Sequence, residues 1–276
     1  MTAAGPALRV AAYAGLAVLA FVMLFPLLYA ISGSLMTTQE ISTYPPAFLP
    51  RHPRLDNFRE VLQALPLPRQ FLNSLIVAAC VTAGQLVTSV FSAYAFAFLR
   101  MPFRNLVFGV FLATMMVPWE AILIPNYLTI ADNHLINTYP ALILPFLAAG
   151  FGTFLLRQFF LAFPRDLYEA AQVDGLGHLR FLWLILVPLS RPALAALAIW
   201  SFLSAWNQFL WPLLVVSQDQ MDTLQIGISR LQDVEAATAP NFILAGTVLA
   251  LIPTLVLIYF GQRHIVSGLT AGALKG

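Results

Sequence analysis

From Phe71 to Leu99 the chain runs for 29 residues without an Asp, Glu, Lys or Arg. As a helix that run is about 43 Å long, more than the roughly 30 Å hydrocarbon core of a bilayer. A charge at the centre of a membrane helix costs about 2.5–3.5 kcal/mol, so stretches lacking these residues mark candidate spans. Six emerge, at about 10–31, 71–99, 106–124, 142–160, 192–216 and 242–260. The third carries Pro118 and, close to one end, Glu120; the fourth has Pro145 near its start. Composition agrees: 60% of the 276 residues are hydrophobic and 9% are charged, whereas an ordinary soluble domain is about 25% charged. The expected fold class is all-α integral membrane, with six transmembrane helices in one domain over 1–276. The apolar stretch near the amino terminus reads as a retained span rather than a cleaved leader.

Basic residues choose the orientation, because cytoplasmic flanks carry the excess of Lys and Arg. With both termini inside, the inner segments hold nine basic residues, among them Arg9, Arg100, Arg104, Arg157 and Arg165, and the outer segments five. This predicts a multi-pass membrane protein with both termini cytoplasmic. The outer segment from Ser32 to Gln70 is interrupted by six prolines and leaves room for one short amphipathic helix, Asn57 to Leu65, with Phe58, Val61, Leu62 and Leu65 on one face. A single cysteine, Cys80, excludes an internal disulfide, and a net charge of +2 with scattered basic residues gives no footprint for nucleic acid.

The longest inner segment, 161–191, holds the most informative run, Phe163-Pro164-Arg165-Asp166-Leu167-Tyr168-Glu169-Ala170-Ala171-Gln172-Val173-Asp174-Gly175. Asp166 three residues before Glu169 has the spacing of a capping box, Ala170 and Ala171 favour helix, and Gly175 can adopt the left-handed conformation that ends one. A second helical stretch, Leu176 to Val187, is expected to stop at Pro188 and Pro192. The two would form a knob projecting from the membrane, its small residues suited to a groove in another protein.

Here the chain resembles the permease subunits of bacterial ABC importers. Their pattern in this segment is Glu-Ala-Ala, three residues, Gly, nine residues, then Ile-x-Leu-Pro. Glu169-Ala170-Ala171, Gly175, Ile185 and Pro188 keep that register, with Val187 the one departure. The likeness extends to the smaller permease of carbohydrate importers, the group that includes the maltose and glycerol-3-phosphate systems. It is carried by Asn73-Ser74-Leu75-Ile76-Val77, Ser92-Ala93-Tyr94-Ala95, Met116-Val117-Pro118, Trp206 to Leu213 and the tail Gly268 to Gly276. Trp206 to Leu213 looks closer to the glycerol-3-phosphate type and the tail closer to the maltose type. The resemblance implies a type I importer permease fold and a sugar or sugar-like polar solute. It implies that Glu169, Ala170, Ala171, Asp174, Gly175 and Pro188 couple to a cytoplasmic ATPase, and that Thr270, Gly272 and Lys275 reach into the ATPase dimer. It also implies partners: a second homologous permease, two ATPase subunits and an extracytoplasmic solute-binding protein, which the acidic outer loop from Ser217 to Pro240 would meet.

The chain itself encodes no motor. No phosphate-cradling Gly-x-x-x-x-Gly-Lys-Ser/Thr occurs, and the one lysine is Lys275. His52, His134, His178 and His264 do not fall at metal-ligand spacings, and no nucleophile turn is present. The expectation is no catalytic residue, no metal and no cofactor on this chain, with ATP and Mg used by the partner ATPase. For the translocation pathway, the candidates are Asn207, Gln208 and Trp211, which share about a third of the circumference of span five with Ser201 and Ser204, and Glu120, the one acid within a span. Helix-to-helix bonding is the competing role for that arc. On span two the arc Ser74, Gln85, Thr88, Ser89 and Ser92 reads as packing. An ion-driven transporter and a membrane assembly factor remain as alternatives; scarce intramembrane charge weighs against the first and the segment around Glu169 against the second.

Overall fold

The computed structural model describes residues 6–233 and 239–270. Among these the regular elements are all helical: α1 (Pro6–Ser34), α2 (Thr38–Ile41), α3 (Asp56–Ala64), α4 (Leu67–Phe98), α5 (Arg104–Thr114), α6 (Leu123–Asp132), α7 (Tyr139–Ile143), α8 (Gly150–Leu161), α9 (Arg165–Val173), α10 (His178–Phe181), α11 (Val187–Leu189), α12 (Arg191–Trp206), α13 (Leu210–Val215), α14 (Leu224–Asp233) and α15 (Pro240–Thr270). Three unbroken helices are long and apolar enough to cross a membrane, and three bent pairs bring the number to six. The chain divides into two compact units, Met1–Leu67 with Gly227–Ile252 and Pro68–Ile226 with Pro253–Gly276.

In the first unit, α1 is exposed along most of its length, Tyr13, Phe21 and Met23 included, as befits a helix solvated by lipid or by apolar neighbours. The segment after it is pinned by a capping box. Thr37 Oγ1 accepts the Glu40 N–H, and the Glu40 carboxylate accepts the N–H groups of Thr37 at 2.9 Å and Arg51 at 3.0 Å. Those donors, the Thr37 N–H foremost, hold the Glu40 carboxyl below the usual carboxylate range. The clasp is therefore complete at neutral pH and fades as pH falls through that lowered value. The predicted amphipathic helix forms as α3, but its inner face is Asn57, Val61 and Leu65, while Leu62 is exposed.

Asn57 and Asn241 make the polar centre of this unit. Asn57 Nδ2 donates to the carbonyls of Ser34 and Met36, and Asn241 Nδ2 donates to Met36 O at 3.2 Å and Asn57 Oδ1 at 3.0 Å, both side chains being buried. Asn241→Ala leaves Asn57 Oδ1 without its donor in a site closed to water. The expected loss is about 1–3 kcal/mol, read as a lower Tm of the purified protein; an unchanged Tm would mean that water reaches the pair.

The second unit is organised on α4. Its small and polar residues pack rather than face solvent: Ser74 Oγ accepts the Leu224 N–H, Gln85 Nε2 donates to Phe146 O, and Thr88 Oγ1 donates to Leu147 O. At Gly152 on α8 an added Cβ would collide with Ser89 Oγ and crowd both δ-methyls of Leu197 on α12, so this glycine is the close approach that lets α4, α8 and α12 share one core.

Three of the predicted spans are not continuous. The third turns through 86° between α5 and the Trp119–Ile122 turn that leads into α6, where Pro118 imposes an extended approach. The fourth bends by 43° between Phe146 and Gly150. The fifth ends at Asn207, because Pro212 lacks the N–H that would bond the Gln208 carbonyl and its ring crowds that oxygen; α13 then starts afresh at Leu210. Pro188, expected to stop a helix, lies inside α11. A wide π turn over Leu182–Leu186 precedes it and absorbs the missing bond, and the chain turns through 80° two residues after the proline, at Ser190.

Candidate functional site

The segment 161–191 folds as a knob fixed to the spanning helices. Its first helix, α9, starts behind Pro164, whose side chain offers no capping bond. The expected capping box between Asp166 and Glu169 is absent, because Asp166 already lies inside the first turn. Asp166 serves there as a negative charge at the helix amino end. The other end closes as expected. Gly175 has φ of +76°, its N–H bonds the Gln172 carbonyl at 3.0 Å, and the Leu176 N–H bonds the Ala171 carbonyl at 2.9 Å, the paired bonds of a Schellman motif.

Two faces of α9 separate cleanly. Ala171 is buried and Tyr168 half-buried, turned toward the membrane helices, while Leu167, Glu169, Ala170, Val173 and Asp174 are exposed. Val173 is 88% exposed, an apolar side chain held out at the tip of a charged helix. Ala170 and Ala171, expected on one small-residue face, thus have different roles: Ala170 belongs to the outer surface and Ala171 to the core. Pro188 is half-buried inside α11, apart from the exposed face of α9.

The inner face meets a cluster of aromatic rings. Tyr168 lies 5.0 Å from Phe98 of α4 and 4.9 Å from Phe181 of α10, and Phe98 and Phe181 are 5.5 Å apart, centroid to centroid. Phe160 of α8 and Tyr94 of α4 extend the cluster, and Tyr94 Oη shares a 2.9 Å hydrogen bond with His178 Nδ1. Val90, Ala93, Leu156, Ala171, Leu186 and Leu197 complete one core that runs from α9 into α4, α8 and α12. Close-packed side chains of this kind transmit displacement instead of absorbing it. Sequence reading missed Phe98, Tyr168 and Phe181. The available signal was the i, i+3 spacing of Tyr168 and Ala171 on a helix whose other face is charged.

The pathway candidates do not form one face. Asn207 is exposed, its amide donating to Leu203 O at 2.8 Å; Gln208 is half-buried at the helix break; Glu120 is exposed on the turn after Pro118. Trp211 is 2% exposed, its Nε1 donates to Ala141 O at 2.9 Å, and its ring meets those of Trp119 and Phe146. Within this chain Trp211 is a packing residue. A 360 Å³ cavity between α6 and the Leu144-Pro145 turn is lined by Asn126, Thr129 and Asn133 and by none of the four candidates. The outer loop is more folded than expected: Asn73 Nδ2 on α4 donates to the Gln220 and Asp222 carbonyls, and Asp222 is buried. Thr270 ends α15, while Gly272 and Lys275 of the predicted ATPase-contacting tail lie outside the described residues. Among the described residues no group of three His, Cys, Asp or Glu could hold a metal ion.

The knob is packed against membrane helices, and sequence comparison supplies the class of protein to which this arrangement belongs. Residues 85–270 match the family described as binding-protein-dependent transport system inner membrane component. The chain belongs to this family and is a permease component of an ABC import system. It is 38% identical over 272 residues to the sn-glycerol-3-phosphate transport system permease protein UgpE of Agrobacterium fabrum, covering 96% of each chain. It is also 38% identical over 256 residues to the UgpE of Brucella abortus, covering 90% of this chain and 91% of that one. Among solved structures, a chain of a bacterial ABC transporter involved in the import of the acidic polysaccharide alginate superposes with a TM-score of 0.84 at 21% identity, over 95% of this chain and 99% of that one. That likeness bears out the all-α importer fold.

Proposed function

We propose that this chain carries a polar, carbohydrate-like solute, sn-glycerol-3-phosphate or a close chemical relative, into the cell, working with a second permease, two ATPase subunits and an external solute-binding protein. Both termini and the α9 knob face the cytoplasm. The exposed face of α9, with Leu167, Glu169, Ala170, Val173 and Asp174, seats in the ATPase, where ATP and Mg are bound and hydrolysed; this chain contributes no catalytic group. The observation that carries the reading is the aromatic joint of Tyr168, Phe98 and Phe181, which makes α9 one body with α4 and α10. Closure of the ATPases then moves membrane helices instead of bending a loop, and the solute path alternates between its two openings. Solute class rests on the named relatives. Asn207 and Gln208, at the break in span five, supply amides suited to hydroxyl or phosphate oxygens, and Gln208 Oε1 has no partner among the described residues.

The test is purification of the tagged chain from its native membrane, followed by reconstitution with the proteins that accompany it. Recovery of an ATPase and a second permease, with ATP hydrolysis stimulated by binding protein loaded with sn-glycerol-3-phosphate, is the expected result. Stimulation by an unrelated solute would overturn the solute assignment, and recovery of the chain alone would overturn the assembly.

A further inference from the structure

Beside α9 lies a 300 Å³ cavity whose wall includes Arg100, Arg104, Arg165 and Glu169. Three arginines and one glutamate thus share its wall. Arg104 Nη1 donates to the Ala97 carbonyl at the end of α4, at 3.3 Å. Arg100 and Arg165 make no hydrogen bond or ion pair among the described residues, which leaves most of the donors of this cluster without a protein acceptor. One turn back on α8, Arg157 is stacked at 3.9 Å over the Phe108 ring and keeps a buried Nε without a hydrogen-bond partner among the described residues. Such a concentration of positive charge calls for an anion.

The neighbouring surface says what kind. A second, open groove of 880 Å³ shares Phe98, Arg100 and Arg104 with the cavity and continues over Phe103 and Leu106. Phe103 and Leu106 are 78% and 66% exposed, and Phe103 has a left-handed backbone at φ of +55°, which a residue with a Cβ adopts at a cost. Beyond them on α5, Val107 and Val110 are exposed and Gly109 has open space before it. A basic pocket therefore opens at one end onto an apolar, shallow track running along a membrane helix. A free anion has no use for the track, and a neutral lipid has none for the arginines.

We infer that this junction binds an anionic phospholipid, its phosphate held by Arg100, Arg104 and Arg165 and an acyl chain lying along Phe103, Leu106 and Val110. Basic pockets between membrane helices recognise such headgroups by charge. Arg165 opens α9, so the lipid would brace the knob against the ends of α4 and α5. The site does not depend on which solute the complex carries.

The test uses the purified importer complex in detergent and native mass spectrometry, with phosphatidylglycerol, phosphatidylcholine or inorganic phosphate added. The expected result is retention of phosphatidylglycerol over phosphatidylcholine, weakened about fivefold for each arginine removed in Arg100→Gln and Arg104→Gln. Arg100→Lys/Arg104→Lys, which keeps the charge, should retain the preference, and it reports on the site even if the glutamine variants fail to assemble. Equal retention of the two lipids by the wild-type complex would overturn the proposal. So would undiminished binding in well-assembled glutamine variants, or inorganic phosphate that displaces the lipid at comparable concentration, which would make this a site for a soluble anion.

Discussion

Glu169→Lys is expected to abolish solute-driven transport while leaving the chain folded. Glu169 is exposed and makes no hydrogen bond or ion pair among the described residues, so the substitution should change stability by no more than about 0.5 kcal/mol. At the proposed ATPase interface the same change puts a cation where an anion is paired. Losing one partner of a buried charged contact costs about 2–5 kcal/mol, enough to lower ATPase affinity by more than tenfold. The measurement is capture of the ATPase by the tagged variant, with transport in reconstituted vesicles and Tm as the folding control. Normal capture and transport would show that α9 does not meet the ATPase through this face. Gly175 extends the test through the backbone. No atom lies within 4 Å of a Cβ built there, so the cost of a side chain comes from φ of +76° alone. Gly175→Asn should be tolerated and Gly175→Val should not, because Asn visits the left-handed region and a β-branched residue resists it.

The knob of residues 161–191 is readable from the chain because its signals are local. Gly175 ends α9 as its conformational freedom suggests, and the fixed spacing from Glu169 to Pro188 is a property of the string. The unbroken helices α1, α4 and α15 follow from charge-free runs for the same reason. The expected capping box of Asp166 and Glu169 has the same spacing as Thr37 and Glu40, the pair that the structure shows capping α2. Only the pair at α2 forms the reciprocal bonds, since Thr37 sits outside its helix with extended backbone, whereas Pro164 starts α9 two residues ahead of Asp166. The choice depends on which residue occupies the cap, and spacing alone does not reveal it.

The broken spans were harder for a different reason. Hydropathy measures how willingly a stretch enters lipid, and it is blind to whether Pro118 or Pro212 bends the helix or interrupts it. The interruption at Asn207 removes the common face on which Asn207, Gln208 and Trp211 were grouped, since the geometry of 100° per residue holds only within one helix. Likewise the aromatic joint beneath α9 draws its rings from α4, α8, α9 and α10. No periodicity along one segment records a contact made by four.

Trp211→Ala turns that difference into a measurement. The side chain is 2% exposed, its indole N–H is bonded to Ala141 O at 2.9 Å, and its ring stands edge-on to Trp119 at 5.7 Å and Phe146 at 6.2 Å. Removing it opens a cavity among three elements, α7, α13 and the turn after Pro118, at a cost of about 3–5 kcal/mol. The expected result is a large fall in Tm and in the yield of assembled complex. Trp211→Phe, which keeps most of the ring and loses the donor, should cost less, about 1–3 kcal/mol for the orphaned Ala141 carbonyl. Asn207→Ala is the control: its amide bonds only Leu203 O of its own helix and is exposed, so Tm should hold. The two residues then separate by what fails. A pathway residue lowers transport at constant Tm, which is the expectation for Asn207, and a packing residue lowers both together, which is the expectation for Trp211. Stable assembly of Trp211→Ala with altered solute preference would reverse the assignment, because it would mean that the indole opens to the solute in a conformation where α13 has moved away from α7.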